Sequence, residues 1–87
     1  MARSKGFGDR FPVRDSEVLG ALARNVQRLR KKRKWTQHHL AAAAEIEQMA
    51  VSLIENRRSN PTVEVLEKIA GALEIRFVDL FQSRSRR

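Results

Sequence analysis

The stretch "KWTQHHLAAAAEIEQMAVSLIENRRSNP", residues 34–61, decides how this chain is read. Thr36 has a side-chain oxygen suited to capping a helix, and "LAAAA" behind it combines high helix propensity with very little bulk. The spacing predicts a short helix through about Ala44. "EIE" breaks it, and a second short helix of roughly residues 47–56 begins there. Asn60-Pro61 closes the stretch as loop, because the residue ahead of proline avoids helical angles. The segment offers two short helices, a tight turn and almost no catalytic chemistry.

Helical signals continue on both sides. Upstream, Asp15 or Ser16 can cap a helix of roughly residues 16–33, with Val18, Leu19, Leu22, Val26 and Leu29 as its apolar stripe. It ends in Arg28, Arg30, Lys31, Lys32, Arg33 and Lys34, more cations than a helix C-terminus needs. Downstream, a helix from about Thr62 to Leu73 turns Val65, Leu66, Ile69 and Leu73 inward. Ile75, Phe77, Val78, Leu80 and Phe81 make a short fifth apolar element. No strand-length alternation occurs. The class is therefore all-α, a compact five-helix bundle over residues 15–82. A flexible basic arm (1–14) precedes it and a basic tail (83–87) follows.

Composition narrows the function classes. Eighty-seven residues make one domain with a small core, which suits half of a homodimer. Eighteen Lys and Arg against ten Asp and Glu give a net charge of +8, which favours a polyanionic partner. The absence of cysteine leaves no disulfide framework or thiolate metal site, and fits a reducing cytoplasm. No run of about 18 apolar residues is present, so no membrane span is expected, and "MARSKGFGDRFPVRD" lacks the apolar core of a secretion signal. His38 and His39 are adjacent, diverge by about 100° on a helix and cannot share a metal. Nucleophile, metal cluster and glycine-rich phosphate loop are all missing. The reading therefore predicts no enzyme, no metal and no cofactor.

Two short helices joined by a three- to four-residue turn describe a helix-turn-helix. Residues 36–61 also resemble the Cro/repressor-type helix-turn-helix domain of bacterial and phage regulators. The matching positions are Thr36-Gln37, Leu40-Ala41, Ile46, Val51, Ile54-Glu55 and Asn60-Pro61, with Leu29-Arg30 upstream and "LEKIAGALEI" downstream. The resemblance covers roughly residues 23–81. It implies a structural ion pair between Arg30 and Glu55, and a recognition helix whose outer face enters the major groove of double-stranded DNA.

On a wheel of 100° per residue, Val51 and Ile54 point one way; Gln48, Met49, Ser52, Leu53 and Asn56 lie around the other side. Gln48 has the amide geometry to bond adenine, Ser52 suits several base edges, Met49 suits a thymine methyl, and Glu47 can accept from cytosine N4. Leu53 is expected to wrap onto the core. Thr36 and Gln37 open the first of the two helices, where free N–H groups attract phosphate. Asn56, Arg57 and Arg58 follow the recognition helix as phosphate clamps. Glu45 and Arg57 stand where the family usually carries glycine. Ile75, Val78 and Phe81 are the expected dimer interface.

The resulting expectation is a homodimeric, cytoplasmic repressor acting on a pseudo-palindromic operator. An antitoxin, with a toxin as protein partner, and a restriction–modification controller are variants on the same fold. A protein–protein interaction module is the alternative of a different kind, and Glu45 and Glu47 near the recognition face are its support.

Overall fold

The computed structural model describes residues 11–83. Four α-helices follow one another: α1 (Glu17–Lys32), α2 (Gln37–Ala44), α3 (Gln48–Glu55) and α4 (Val63–Leu73). A single 3-10 turn, Phe77–Leu80, completes them. α2 packs on α3 and α4, α3 returns against α1, and the 3-10 turn lies between α4 and α1. Among the described residues no strand is present, and no helix is long and apolar enough to cross a membrane.

The class is the expected one, but the fifth element is not an α-helix. Its four residues form a 3-10 turn closed by Asp79 N–H donating to the Arg76 carbonyl at 3.0 Å. The cause sits on α1. Asn25 is buried, and its side-chain amide donates to the carbonyls of Leu80 (2.8 Å) and Gln82 (2.9 Å). A continuing helix would use those carbonyls for its own ladder. A buried amide on α1 thus takes over the C-terminal segment and ends the turn.

Capping follows the local chemistry of each start. Ser16, Thr36 and Thr62 adopt extended backbone, and their hydroxyls accept from the N–H groups of Leu19, His39 and Val65 at 3.0–3.1 Å. Such caps satisfy donors that have no partner within the helix. Leu22, Val26, Leu40, Val51, Ile69 and Leu80 are fully buried and form the centre of the core. Each contributes about 1.5–3 kcal/mol of apolar burial. Ala41, at 3 % exposure, lets α2 approach its neighbours closely. Val18 departs from its expected place: it stands in the first turn of α1, on the shoulder of the stripe, and is 58 % exposed.

All four helices end in the same way. Lys34, Glu45, Arg57 and Glu74 have φ between 58° and 62°, in the left-handed region. Each donates three residues back while the next residue donates five back, as in Glu45 to Ala42 (3.2 Å) and Ile46 to Ala41 (2.9 Å). This closing motif normally uses glycine, since a Cβ is strained there. Here the described glycines, Gly20 and Gly71, lie inside helices instead. Glu45 and Arg57 hold the conformation that their glycine-like positions require. Lys34 and Glu74 hold it without having been marked in the sequence.

The expected arm divides at residue 11. Residues 1–10 lie outside the described residues, as do 84–87 of the tail. Residues 11–14 are not loose. The Phe11 carbonyl accepts from the Arg58 guanidinium at 2.8 Å, and Arg14 N–H donates to the Arg57 carbonyl at 2.7 Å. The segment runs beside the loop that follows α3.

Candidate nucleic-acid interface

The site begins with how α3 is held. Val51 and Ile54 are buried at 0 % and 3 % exposure, and Leu53 is half-buried. Gln48, Met49 and Asn56 are exposed and Ser52 is half-buried, so the outer ridge faces solvent as its spacing predicts. Glu47 is the N-cap residue of α3, is exposed, and makes no side-chain capping bond. Asn56 donates from its side chain to the Ser52 carbonyl at 2.8 Å. With its side chains a helix such as α3 is about 10–12 Å across, close to the width of a B-DNA major groove.

Behind the ridge, Arg30 and Glu55 meet. Arg30 Nε donates to Glu55 Oε2 at 2.7 Å and Arg30 Nη2 to Oε1 at 3.0 Å, a two-pronged pair with both residues buried. The hydrogen bonds to Glu55 raise the Arg30 pKa, against the opposing pull of burial. Arg30 Nη1 also donates to the Trp35 carbonyl at 2.7 Å. Gln37 Nε2 donates to Glu55 Oε1 at 3.1 Å. One carboxylate therefore ties the C-terminal end of α3 to α1 and to the first residue of α2. Every buried side-chain nitrogen and oxygen among the described residues has a partner.

The flanking residues fall into place differently. Thr36 spends its hydroxyl on capping α2, at the surface. The Gln37 amide is engaged inward with Glu55, which leaves its backbone N–H at the start of α2. Arg58 is half-buried and secures Phe11. Arg57 folds back over α1, where its Cδ and Nη1 lie 3.7 and 3.8 Å from the place a Cβ on Gly20 would occupy. It borders a cleft of about 490 Å³ lined by both signs of charge, including Asp15, Glu17 and Arg24. His38 and His39 are both exposed. No cluster of three or more His, Cys, Asp or Glu able to hold a metal occurs among the described residues.

The helix-turn-helix family model matches residues 26–80, more than half of the chain and all of α2, the turn and α3. The chain belongs to that family. Its type is that of Cro and the phage repressors. This helix-turn-helix chain is 39 % identical over 54 residues to the immunity repressor protein of Bacillus phage phi105. The match covers 62 % of the chain but 38 % of the phage protein, so the chain spans about two fifths of that relative's length. Among solved structures, a hypothetical transcription factor from Neisseria superimposes with a TM-score of 0.73 at 26 % identity, covering 83 % of this chain and 88 % of the other. The controller protein C.Esp1396I bound to a 25 base pair operator site superimposes with a TM-score of 0.69 at 28 % identity, covering 77 % and 88 %.

Three features of the helix-turn-helix domain escaped the sequence. Asn25 looks like one more polar residue on α1, yet it anchors Leu80 and Gln82. Its spacing, three residues after Leu22 and four before Leu29 on the apolar stripe, is the one available signal. Trp35 stacks on His39, with ring centres 4.4 Å apart and planes 12° from parallel. The Arg33 guanidinium lies 5.0 Å from the Trp35 ring centre and donates to the Leu73 carbonyl at 3.0 Å. This stack braces the α1–α2 corner against the end of α4. Its three side chains lie within seven residues of one another, but the Leu73 carbonyl that fixes Arg33 is 40 positions away, and no local pattern links the two.

Proposed function

We propose that this helix-turn-helix regulator is a sequence-specific, DNA-binding repressor that works as a homodimer on a pseudo-palindromic operator in the cytoplasm. The observation that carries the reading is the two-sidedness of α3: Val51 and Ile54 are hidden, while Gln48, Met49 and Asn56 stand in solvent on the opposite face. An eight-residue helix with that division fits a major groove. Gln48 pairs with adenine, Ser52 reads a base edge, Met49 touches a thymine methyl, and Glu47 accepts from cytosine N4. Thr36, Gln37, Asn56, Arg57 and Arg58 set register on the phosphates; for Arg57 this means swinging off α1. No residue of the domain is assigned a catalytic role.

The dimer surface is assigned to Ile75, Val78 and Phe81. Val78 is 50 % exposed, Ile75 and Phe81 are half-buried, and the Phe81 ring leans on Phe77 at 5.5 Å. A two-fold dimer presents its recognition helices about 34 Å apart, one turn of duplex. A restriction–modification controller is the second reading, favoured by the likeness to C.Esp1396I. The two readings share the site and differ in the genes controlled. An antitoxin would add a toxin as protein partner, which co-purification from the native host would reveal.

Selection of bound fragments from random DNA tests the reading. A palindromic consensus whose half-sites lie one turn apart is the expected result; recovery of unrelated sequences would overturn it. Gln48→Ala is expected to relax one base pair per half-site by about 1–3 kcal/mol while leaving the others unchanged.

A further inference from the structure

We infer that Arg24 is a positioning residue for operator binding: it repels the Arg57 guanidinium and so keeps that side chain only loosely seated on α1, ready for a phosphate. This rests on the proposed function, in which Arg57 leaves α1 to clamp the DNA backbone. The observation that carries it is a meeting of like charges over one glycine. A Cβ on Gly20 would lie 3.4 Å from Arg24 Nη1, 3.7 Å from Arg57 Cδ and 3.8 Å from Arg57 Nη1. Gly20 thus provides the seat, and two cations converge on it. Asp15 and Glu17 border the same cleft, yet among the described residues no ion pair joins either of them to Arg24 or Arg57.

The backbone of Arg57 is held on both sides. Its N–H donates to the Ile54 carbonyl at 3.1 Å, and its carbonyl accepts from Arg14 N–H at 2.7 Å. The exposed side chain is what moves between Gly20 and the duplex. A seat that held it firmly would withhold it from DNA, because apparent affinity falls with the fraction of protein in the competent state. Like charges close together at a surface disfavour the seated position. An acid at position 24 would do the reverse, pairing with Arg57 and keeping it on α1. A surface ion pair shifts such a balance by up to about 5-fold, and loss of the repulsion adds to the shift. The phosphate contact itself sets the ceiling. Each contact carries a salt slope of about 0.9, or roughly 5-fold in affinity near 0.15 M salt, so the two protomers of a dimer lose about 25-fold at most.

The test is a double-mutant cycle in the full chain, on the selected operator between about 0.05 and 0.3 M salt. Arg57→Ala is expected to weaken binding about 25-fold at 0.15 M and to flatten the salt slope by about 2. Arg24→Glu should weaken it by about 5- to 25-fold, and Arg24→Lys should match the parent. Added to Arg57→Ala, Arg24→Glu should change affinity by less than about 3-fold, because the side chain it acts through is gone. An Arg24→Glu protein that binds as tightly as the parent overturns the inference. So does an equal loss in both backgrounds, which would place Arg24 itself on a phosphate. An Arg57→Ala protein with parental affinity and slope would instead remove Arg57 from the proposed phosphate contacts, and the inference with it.

Discussion

Replacing Glu45 with glycine should stabilise the fold, and the size of the gain follows from one dihedral angle. Glu45 holds φ 59° and ψ 45° at the turn between α2 and α3. A side chain in that left-handed conformation costs about 1–2 kcal/mol. Glycine removes the cost but loses about 0.5–1 kcal/mol more in chain entropy on folding. The net expectation is about 0.5–1 kcal/mol of added stability. For a domain of this size that raises the melting temperature by about 2–8 °C. The Glu45 side chain is exposed, so little packing is lost with it. Glu45→Ala is the control, because alanine keeps the Cβ and hence the strain while discarding the carboxylate. Thermal unfolding followed by circular dichroism, at one fixed protein concentration, should place alanine near the parent and glycine above both. A glycine variant that melts at or below the alanine variant would refute the reasoning.

The other predictions concern the supports of the site. Arg30→Met leaves Glu55 buried without its cation and should cost about 3–5 kcal/mol in urea unfolding; adding Glu55→Met should recover part of it, and a single variant within about 0.5 kcal/mol of the parent would count against the buried pair. Asp79 is held below its ordinary value of 3.8, chiefly by its hydrogen bond with Arg76. A lowered carboxylate adds stability above the unfolded-state value, and that contribution drains away as pH falls below 3.8 through the folded value. Melting temperatures from about pH 5 to pH 2 should therefore fall less for Asp79→Asn than for the parent. Phe81→Glu should yield monomers by light scattering and weaken operator binding; an unchanged mass in solution would remove Phe81 from the interface.

The sequence by itself determined the helices and their facing. Three- and four-residue spacing around Leu22, Val26, Leu66, Ile69 and Leu73, a cap at Thr36 and one at Asp15 or Ser16, of which the fold uses Ser16, and a break at Glu45 are local properties, fixed by 3.6 residues per turn and by which residues satisfy a free N–H. The exposed Gln48–Asn56 ridge follows from the same geometry, since hiding Val51 and Ile54 leaves one face for solvent. Only the tertiary structure decided what polar groups do once helices from distant parts of the chain meet. Asn25 reaches residues 55 and 57 positions away and turns a would-be fifth helix into a single 3-10 turn. Gln37 is drawn inward to Glu55, Arg57 folds over Gly20, and Arg58 seizes the backbone of Phe11. Such partners are chosen by proximity and by the cost of leaving a buried polar atom unsatisfied, and neither is encoded in spacing along the chain.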